Sequence, residues 1–490
     1  MPENRWFPIL LLTAAALGAA PKPTSLEQRI ERMIRSSPVA ERSFWGVEVV
    51  QVATGKTLVA LNQRRLFTPA SNTKLFTTAL ALAELGPAYR FETRAMCDHV
   101  PDVSGRVSGD LRLVGGGDPS LSARAVPYQK GPANGNPLQA IEDLADQVVA
   151  RGVRRIEGDI VGDDTAYVWE PYPEGWDQDD TVWDYGAPVS ALAVNDNLVT
   201  LRVRAAGSHA AVVFAPPLDY YAVDNRVGTG LHLENRVHLE RLPGSRQLRL
   251  WGTLDSDPPG ETQFVLAIDD PALYAACALK DALERRGVAI TGRPVALHRH
   301  PNQREGTPDT VVLGRRSSPE LIELLRIMDK VSHNLYAEMF LREVARQQQG
   351  DGTRGEGLER MRHFLAGAGI AADEYGFADG SGLSGSNLVA PEAVVKLLRH
   401  MYGSKEREGW MSLLPVGGQD GTLAARFVGQ PAARRIHAKT GTLTHASALS
   451  GYVQSTSRGT LAFSILANNY DTPAADVRAL IDRIALVLAE

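Results

Sequence analysis

Apolar and polar positions change period several times along the chain, and each change predicts an element. Two β-branched runs at 47–52 and 56–60 flank the turn-forming trio Ala53-Thr54-Gly55, which predicts a hairpin. After Pro69-Ala70, the residues Leu75, Phe76, Ala79, Leu82 and Leu85 recur near the helical period and Gly86-Pro87 supplies a stop, so 71–85 is expected as a buried helix. From about 90 to 300 the texture becomes short β-branched runs broken by Gly, Pro and Asp, as expected of inserted β-rich material. A polar stretch at 298–308 then leads into 320–346, where Leu321, Leu324, Leu325, Met328, Leu335, Met339 and Leu341 restore helical spacing. Residues 435–439, 446–454 and 460–467 read as strands, and Thr472-Pro473 opens a closing helix with Val477, Leu480, Ile481, Ile484, Val487 and Leu488 on one face. The opposite face of that helix balances Asp476 and Asp482 against Arg478 and Arg483, which favours packing on the sheet over a membrane surface.

Length and composition narrow the function class. The chain has 490 residues, enough for about three domains, with 44% apolar and 22% charged residues, so it should fold rather than stay disordered. Its 52 basic and 57 acidic residues are scattered and give a net charge of −5, without the basic footprint of a nucleic-acid binder. Cys97 and Cys277 amount to small core residues or one bridge, not a disulfide framework. Residues 6–20 are nearly uncharged and apolar, preceded by Arg5 and ending in small residues before Pro21, the pattern of a secretory signal peptide over 1–20. No later segment is apolar over the roughly 18 residues a membrane span needs, so an extracytoplasmic chain without an integral span is expected once the signal is removed.

Candidate chemistry begins at Ser71-Asn72-Thr73-Lys74, the only Ser-x-x-Lys in the chain. Positions i and i+3 of a helix share a face, so the Lys74 amine can reach the Ser71 oxygen. A serine hydroxyl is a poor nucleophile until a base takes its proton, and a lysine can be that base once burial or a second cation lowers its pKa. A serine in the first helical turn also has free backbone N–H groups beside it that suit a developing oxyanion. Ser332-His333-Asn334 is the only Ser-x-Asn, and Lys439-Thr440-Gly441, on a predicted strand, the only Lys-Thr-Gly. Gly55-Lys56-Thr57 imitates the tail of a phosphate-binding loop, but Val50 stands where its first glycine belongs, which excludes nucleotide binding there. His298-Arg299-His300 has no ligand companions nearby and reads as a solvated loop, so neither metal nor organic cofactor is expected.

Ser-x-x-Lys, Ser-x-Asn and Lys-Thr-Gly in this order are the motif set of penicillin-binding proteins and class A β-lactamases. Gly116-Gly117-Asp118-Pro119, Gly162-Asp163-Asp164, Pro188-Val189-Ser190-Ala191-Leu192, the segment Asp379-Gly380-Ser381-Gly382-Leu383-Ser384, and Leu414-Pro415-Val416-Gly417-Gly418 add to the likeness. From about 25 to 490 the chain resembles the D-alanyl-D-alanine carboxypeptidase/endopeptidase type of penicillin-binding protein, low-molecular-mass class C, the S13 peptidase family. The long interval from Ser71 to Ser332 separates it from the compact class A β-lactamases.

The resemblance implies an α+β fold: a β-lactamase/transpeptidase-like domain, an antiparallel sheet flanked by helices, interrupted by two β-rich inserted domains. The expected division is 21–90 and 301–490 for that domain and 91–300 for the inserts, the nested one at about 115–189. It further implies Ser71 as nucleophile, Lys74 as its base, Ser332 as proton relay, Lys439 as a neighbouring charge and Asn334 as donor to the substrate backbone. Thr440, Gly441 and Thr442 would hold the substrate and its terminal carboxylate, with the N–H groups of Ser71 and Thr442 on the oxyanion. The implied partners are peptidoglycan stem peptides in the periplasm, with β-lactams as covalent inhibitors. Asp164 matches the family's acidic partner for the amine of a diaminopimelate side chain, whereas Gly385 stands where many members carry an arginine for that side chain's free end. A β-lactamase or esterase on the same fold, or a non-catalytic peptidoglycan-binding protein, would share the three motifs.

Overall fold

The computed structural model describes residues 25–242, 244–303, 311–348 and 350–490, so the expected signal peptide lies outside the described residues. At its centre is a five-stranded antiparallel sheet in the order Ile436–Leu443, Ala446–Ser455, Gly459–Asn468, Phe44–Gln51, Thr57–Leu61. Its middle strands are apolar almost throughout because both faces are covered. Alternate side chains point to opposite faces: Leu461, Phe463, Ile465 and Ala467 join a core with the terminal helices Leu26–Arg35 and Ala474–Leu488, while Ala462 and Leu466 face the other side. There they meet Pro391–Tyr402 and, beyond it, Thr73–Glu84, Leu321–Val331 and Asn334–Gln347. The closing helix packs on the sheet, as its amphipathic pattern led one to expect, and the first helix of the described chain lies on the same face.

The helical stretch at 320–346 is two helices, not one. The chain breaks at Ser332, whose φ of 62° and ψ of 44° are left-handed and end the first helix. The break turns Ser332 and Asn334 onto a corner between helices.

The insert is built on a second five-stranded sheet, mixed in direction, in the order Pro294–Arg299, Ile160–Val168, Leu111–Val114, Glu92–Cys97, Val311–Ser317. Helices Gln139–Ala150 and Pro271–Arg285 pack on it, so this layer is α/β. Its edge strand Val311–Ser317 lies beyond the boundary expected at 300. The segment 115–189 includes the helix Gln139–Ala150 and the strand Ile160–Val168, parts of this same layer. The chain leaves it instead over 198–267, which forms two three-stranded sheets, so the nested part is later in the sequence than expected. Gly and Asp turn signals occur throughout 90–300 and do not reveal which strands pair across a long excursion. Both cysteines are free.

Candidate active site

Ser71 sits in a single 3-10 turn, Ala70–Asn72, that runs straight into the helix Thr73–Glu84. Ala70 has a φ of 48°, a conformation L-residues adopt at a cost, so the chain is bent sharply just before the serine. The edge strand Ile436–Leu443 passes against this bend. A Cβ on Gly441 would lie 2.5 Å from the Pro69 carbonyl oxygen and 3.1 Å from the Ser71 nitrogen, so only glycine allows this approach. Asn72 secures it by donating from its side-chain amide to the Lys439 carbonyl, 3.1 Å.

Lys74 is fully buried, yet among the described residues no carboxylate touches its amine. Nζ lies 2.9 Å from Ser71 Oγ, 2.6 Å from Asn334 Oδ1 and 2.6 Å from the Ser381 carbonyl oxygen. Burial first, and the charge of Lys439 second, hold its pKa well below the usual 10.5. Lys439 is also fully buried; it donates to Ser332 Oγ at 2.8 Å and to the Thr440 carbonyl at 3.0 Å, and burial lowers its pKa to about 8. Five residues from three distant parts of the sequence therefore form one cluster: Ser71, Lys74, Ser332, Asn334 and Lys439. Thr440 donates its hydroxyl to Thr422 Oγ1, 2.8 Å, and so braces the strand, while Thr442 is exposed beside Ser71.

The segment 379–387 closes this cluster from behind. Asp379 accepts from the Gly382 and Ser384 N–H groups and from the Asn387 amide, each at 2.7 Å, and from the Trp176 indole at 3.0 Å. Glu338 accepts from the Gly380 and Ser381 N–H groups; burial, then the charge of Asp379, raises its pKa to about 7. These bonds fix the Ser381 carbonyl that faces Lys74. The sequence marked this segment only by resemblance and gave Glu338 no role at all.

Ser71 opens onto a cleft of about 770 Å³ whose walls include Tyr185, Asn334, Gly385, Thr442 and His445. The insert contributes Gly175, Asp177, Asp180 and Tyr185. Asn334 Nδ2 donates to the Tyr185 carbonyl, 2.9 Å, and the Tyr185 hydroxyl hydrogen-bonds Asp180. His333, given no task from the sequence, stands with Nε2 3.5 Å from Asp196 Oδ2, which also accepts from Arg124 at 2.7 Å, a second tie to the insert.

Asp164 is not among the residues that line the cleft. It is buried, accepts from Ser190 Oγ at 2.8 Å and lies 2.9 Å from His298 Nδ1, so its oxygens are spent inside the insert. His298 correspondingly belongs to the strand Pro294–Arg299, stacked on Trp169, and not to a solvated loop. Asp177 and Asp180 are the acids that reach the cleft, and an Asp-rich turn gave no sign of it. Among the described residues no group of three or more His, Cys, Asp or Glu is arranged to hold a metal ion.

A D-alanyl-D-alanine carboxypeptidase of Actinomadura sp. (strain R39) is 35% identical, over 98% of this chain and 89% of that protein. The crystal structure of penicillin-binding protein 4 (DacB) from Haemophilus influenzae superposes with a TM-score of 0.79 at 21% identity, covering 94% of this chain and 99% of that one. The same protein complexed with a β-lactam gives 0.72 at 22% identity, over 93% and 97%. Residues 26–490 match the D-Ala-D-Ala carboxypeptidase 3 (S13) family, and with the arrangement around Ser71 this makes the chain a member of that family.

Proposed function

We propose that the protein is a serine-type D-alanyl-D-alanine carboxypeptidase and endopeptidase that acts on peptidoglycan stem peptides through an acyl-serine intermediate. The observation that carries this is the hydrogen-bond count at Lys74. A neutral amine has two N–H donors and one lone pair. With the amine neutral, Asn334 Oδ1 and the Ser381 carbonyl accept its two hydrogens, and the lone pair is left to accept from the Ser71 hydroxyl, 2.9 Å away. Burial and the charge of Lys439 lower the Lys74 pKa and so favour the neutral state a general base needs, and in that state every hydrogen-bonding position of the amine has a partner.

Ser71 Oγ attacks the carbonyl carbon between the two D-alanines as its proton passes to Lys74. The N–H groups of Ser71 and Thr442 hold the resulting oxyanion, a contribution of about 10²–10³ in rate for each such donor. The C–N bond then breaks while the Ser332 hydroxyl relays the proton to the departing amine, with Lys439 donating to Ser332. Water attacks the acyl-serine, releases the shortened stem and returns the proton to the site. One hydrogen of the Asn334 amide goes to Tyr185, which leaves the other for the substrate backbone. Thr442, exposed beside Ser71, would meet the terminal carboxylate. When the leaving amine belongs to a cross-linked stem, the same steps make an endopeptidase.

The apolar N-terminal segment supports export, so the enzyme would meet its substrate in the periplasm or an equivalent extracytoplasmic space; no helix among the described residues is long and apolar enough to cross a membrane. Intact-mass measurement after incubation with penicillin tests the reading. A one-to-one adduct on the native protein that is missing from Ser71→Ala is the expected result. No adduct and no penicillin hydrolysis would overturn the catalytic reading.

A further inference from the structure

The helix Leu321–Val331 carries a buried acid that the steps at Ser71 do not use. Asp329 is fully buried, one turn before Ser332. Its Oδ2 accepts from the Thr78 hydroxyl at 2.9 Å, and its Oδ1 is buried with no hydrogen-bond partner among the described residues. Thr78 follows Lys74 by one turn of the helix Thr73–Glu84, so this carboxyl group is tied to the element that carries the candidate base. The other buried acids of the site are better served: Asp379 accepts from two backbone N–H groups, an amide and an indole, and Glu338 from two backbone N–H groups. One hydroxyl does not offset the cost of burying a carboxylate, which calls for a cation nearby.

Lys439 has the complementary shortage. It is fully buried and donates to two neutral acceptors, Ser332 Oγ and the Thr440 carbonyl, and no carboxylate touches its amine among the described residues. Lys330, beside Asp329 in the chain, is already paired with Asp420. Lys74 is held toward its neutral form, with Glu338 and Asp379 among the acids that act on it. Burial raises the Asp329 pKa, and the charge of Lys439 is the first influence that lowers it, ahead of the Thr78 bond, Lys74 and Lys330. Burial likewise lowers the Lys439 pKa, and Asp329 raises it. His333 and His437 are held below 6.5, by burial first, and bring no charge above neutral pH.

We infer that Asp329 is a positioning residue for the reaction: its carboxylate is the buried counter-charge that keeps the proton on Lys439, the charged donor to Ser332. The inference rests on the DD-peptidase reading and adds a residue to that site. The two groups ionise together, so Lys439 stays an ammonium at a pH where a lone buried lysine would lose its proton. Asp329 touches no reacting atom and acts through Lys439 on the relay to the leaving amine.

The test is the pH dependence of kcat/KM for D-Ala release from a pentapeptide ending in D-Ala-D-Ala, where activity falls as Lys439 loses its proton. Asp329→Asn keeps the shape and an acceptor for Thr78 but deletes the charge. The descending limb should move down by about one pH unit or more, a loss of about tenfold on the alkaline side. Thr78→Val deletes the hydrogen bond and keeps the charge, and should move that limb less. A second readout needs no activity: removing Lys439 alone strands Asp329, so the thermal midpoint of Asp329→Asn combined with Lys439→Met should exceed that of Lys439→Met. This comparison decides the matter even where Asp329→Asn alone folds poorly. A descending limb that Asp329→Asn leaves in place, a shift as large in Thr78→Val, or a double variant no more stable than Lys439→Met overturns the inference. If the native protein is still labelled by penicillin at Ser71 and releases D-Ala, the DD-peptidase reading stands while the role of Asp329 falls; no label and no D-Ala release overturn both.

Discussion

The side-chain amide of Asn334 bridges Lys74 and Tyr185: Oδ1 accepts from the Lys74 amine at 2.6 Å, and Nδ2 donates to the Tyr185 carbonyl at 2.9 Å. One residue thus orients the candidate base and pins the insert loop over the cleft. The two ends of the bridge lie in different parts of the fold, so this amide couples the insert directly to the candidate base, beside the Trp176–Asp379 and His333–Asp196 contacts.

Changing Asn334 should separate these tasks. Asn334→Ala removes one of the two acceptors for Lys74 and frees the loop, and the rate of acylation by penicillin should fall by about 10² or more. Asn334→Asp keeps an acceptor but places a carboxylate against the amine, favouring the ammonium and raising the Lys74 pKa. Its acylation should recover at alkaline pH, as read by stopped-flow rates across pH. Equal loss at every pH would reject the base assignment for Lys74.

If Lys74 and Lys439 act as proposed, kcat/KM should follow a bell-shaped pH profile. Lys74 must be neutral, so activity rises as pH climbs through a pKa held well below 10.5. Lys439 must be charged to support Ser332, so activity falls as pH passes about 8. The charge of Lys439 is itself a cause of the low Lys74 pKa, second to burial. Lys439→Met should therefore abolish the descending limb and move the ascending limb to higher pH, on top of an overall loss of rate. An ascending limb that does not move would show that burial alone sets the Lys74 pKa.

Local pattern made much of the central domain legible. Both-faced apolar strands at 446–455 and 459–468 and the stripe Val477, Leu480, Ile481, Ile484 are period signals that survive folding unchanged. The pairing of Ser71 with Lys74 was also local, because positions i and i+3 across a helical turn share a face. The left-handed residue at Ser332 was not, since a serine there has no glycine-like signature and the helical spacing runs on across it. Asp164 failed for a different reason. Its place is set by the strand Ile160–Val168 pairing in the interior of the insert, where Ser190 and His298 claim it. Asp177 and Asp180 reach the cleft only through a loop held by Asn334, a contact between residues 149 apart.

Gly441 offers a steric test of the same site. Gly441→Ala places a methyl group 2.5 Å from the backbone oxygen of Pro69 and 3.1 Å from the Ser71 nitrogen, and neither can swing aside as a flexible side chain would. The strand must retreat from the nucleophile, taking the Thr442 N–H with it. Acylation should slow by about 10² or more, the scale for losing one oxyanion donor, while the circular dichroism spectrum stays close to that of the native protein. A variant acylated at the native rate would remove the Thr442 N–H from the oxyanion site.

Lys330 and Asp420 give a test of stability away from the nucleophile. Lys330 Nζ donates to Asp420 Oδ2 and to the Leu414 carbonyl, each at 2.7 Å, and its side chain is 5% exposed. Burial lowers the Lys330 pKa and Asp420 raises it. Asp420→Ala leaves a buried ammonium with one partner and removes the acceptor for the Val416 N–H, 2.9 Å, at a cost of about 3 kcal/mol. Without the carboxylate the folded-state pKa of Lys330 falls further below its unfolded value. A base with a depressed folded pKa destabilises the fold most at low pH, where the unfolded chain keeps its proton freely, and the penalty fades as pH rises toward 10.5. The thermal midpoint of Asp420→Ala should lie several degrees below that of the native protein near pH 7, and the gap should narrow near pH 10. A gap of equal size at both would mean that the lost Val416 hydrogen bond, and not the stranded charge, carries the cost.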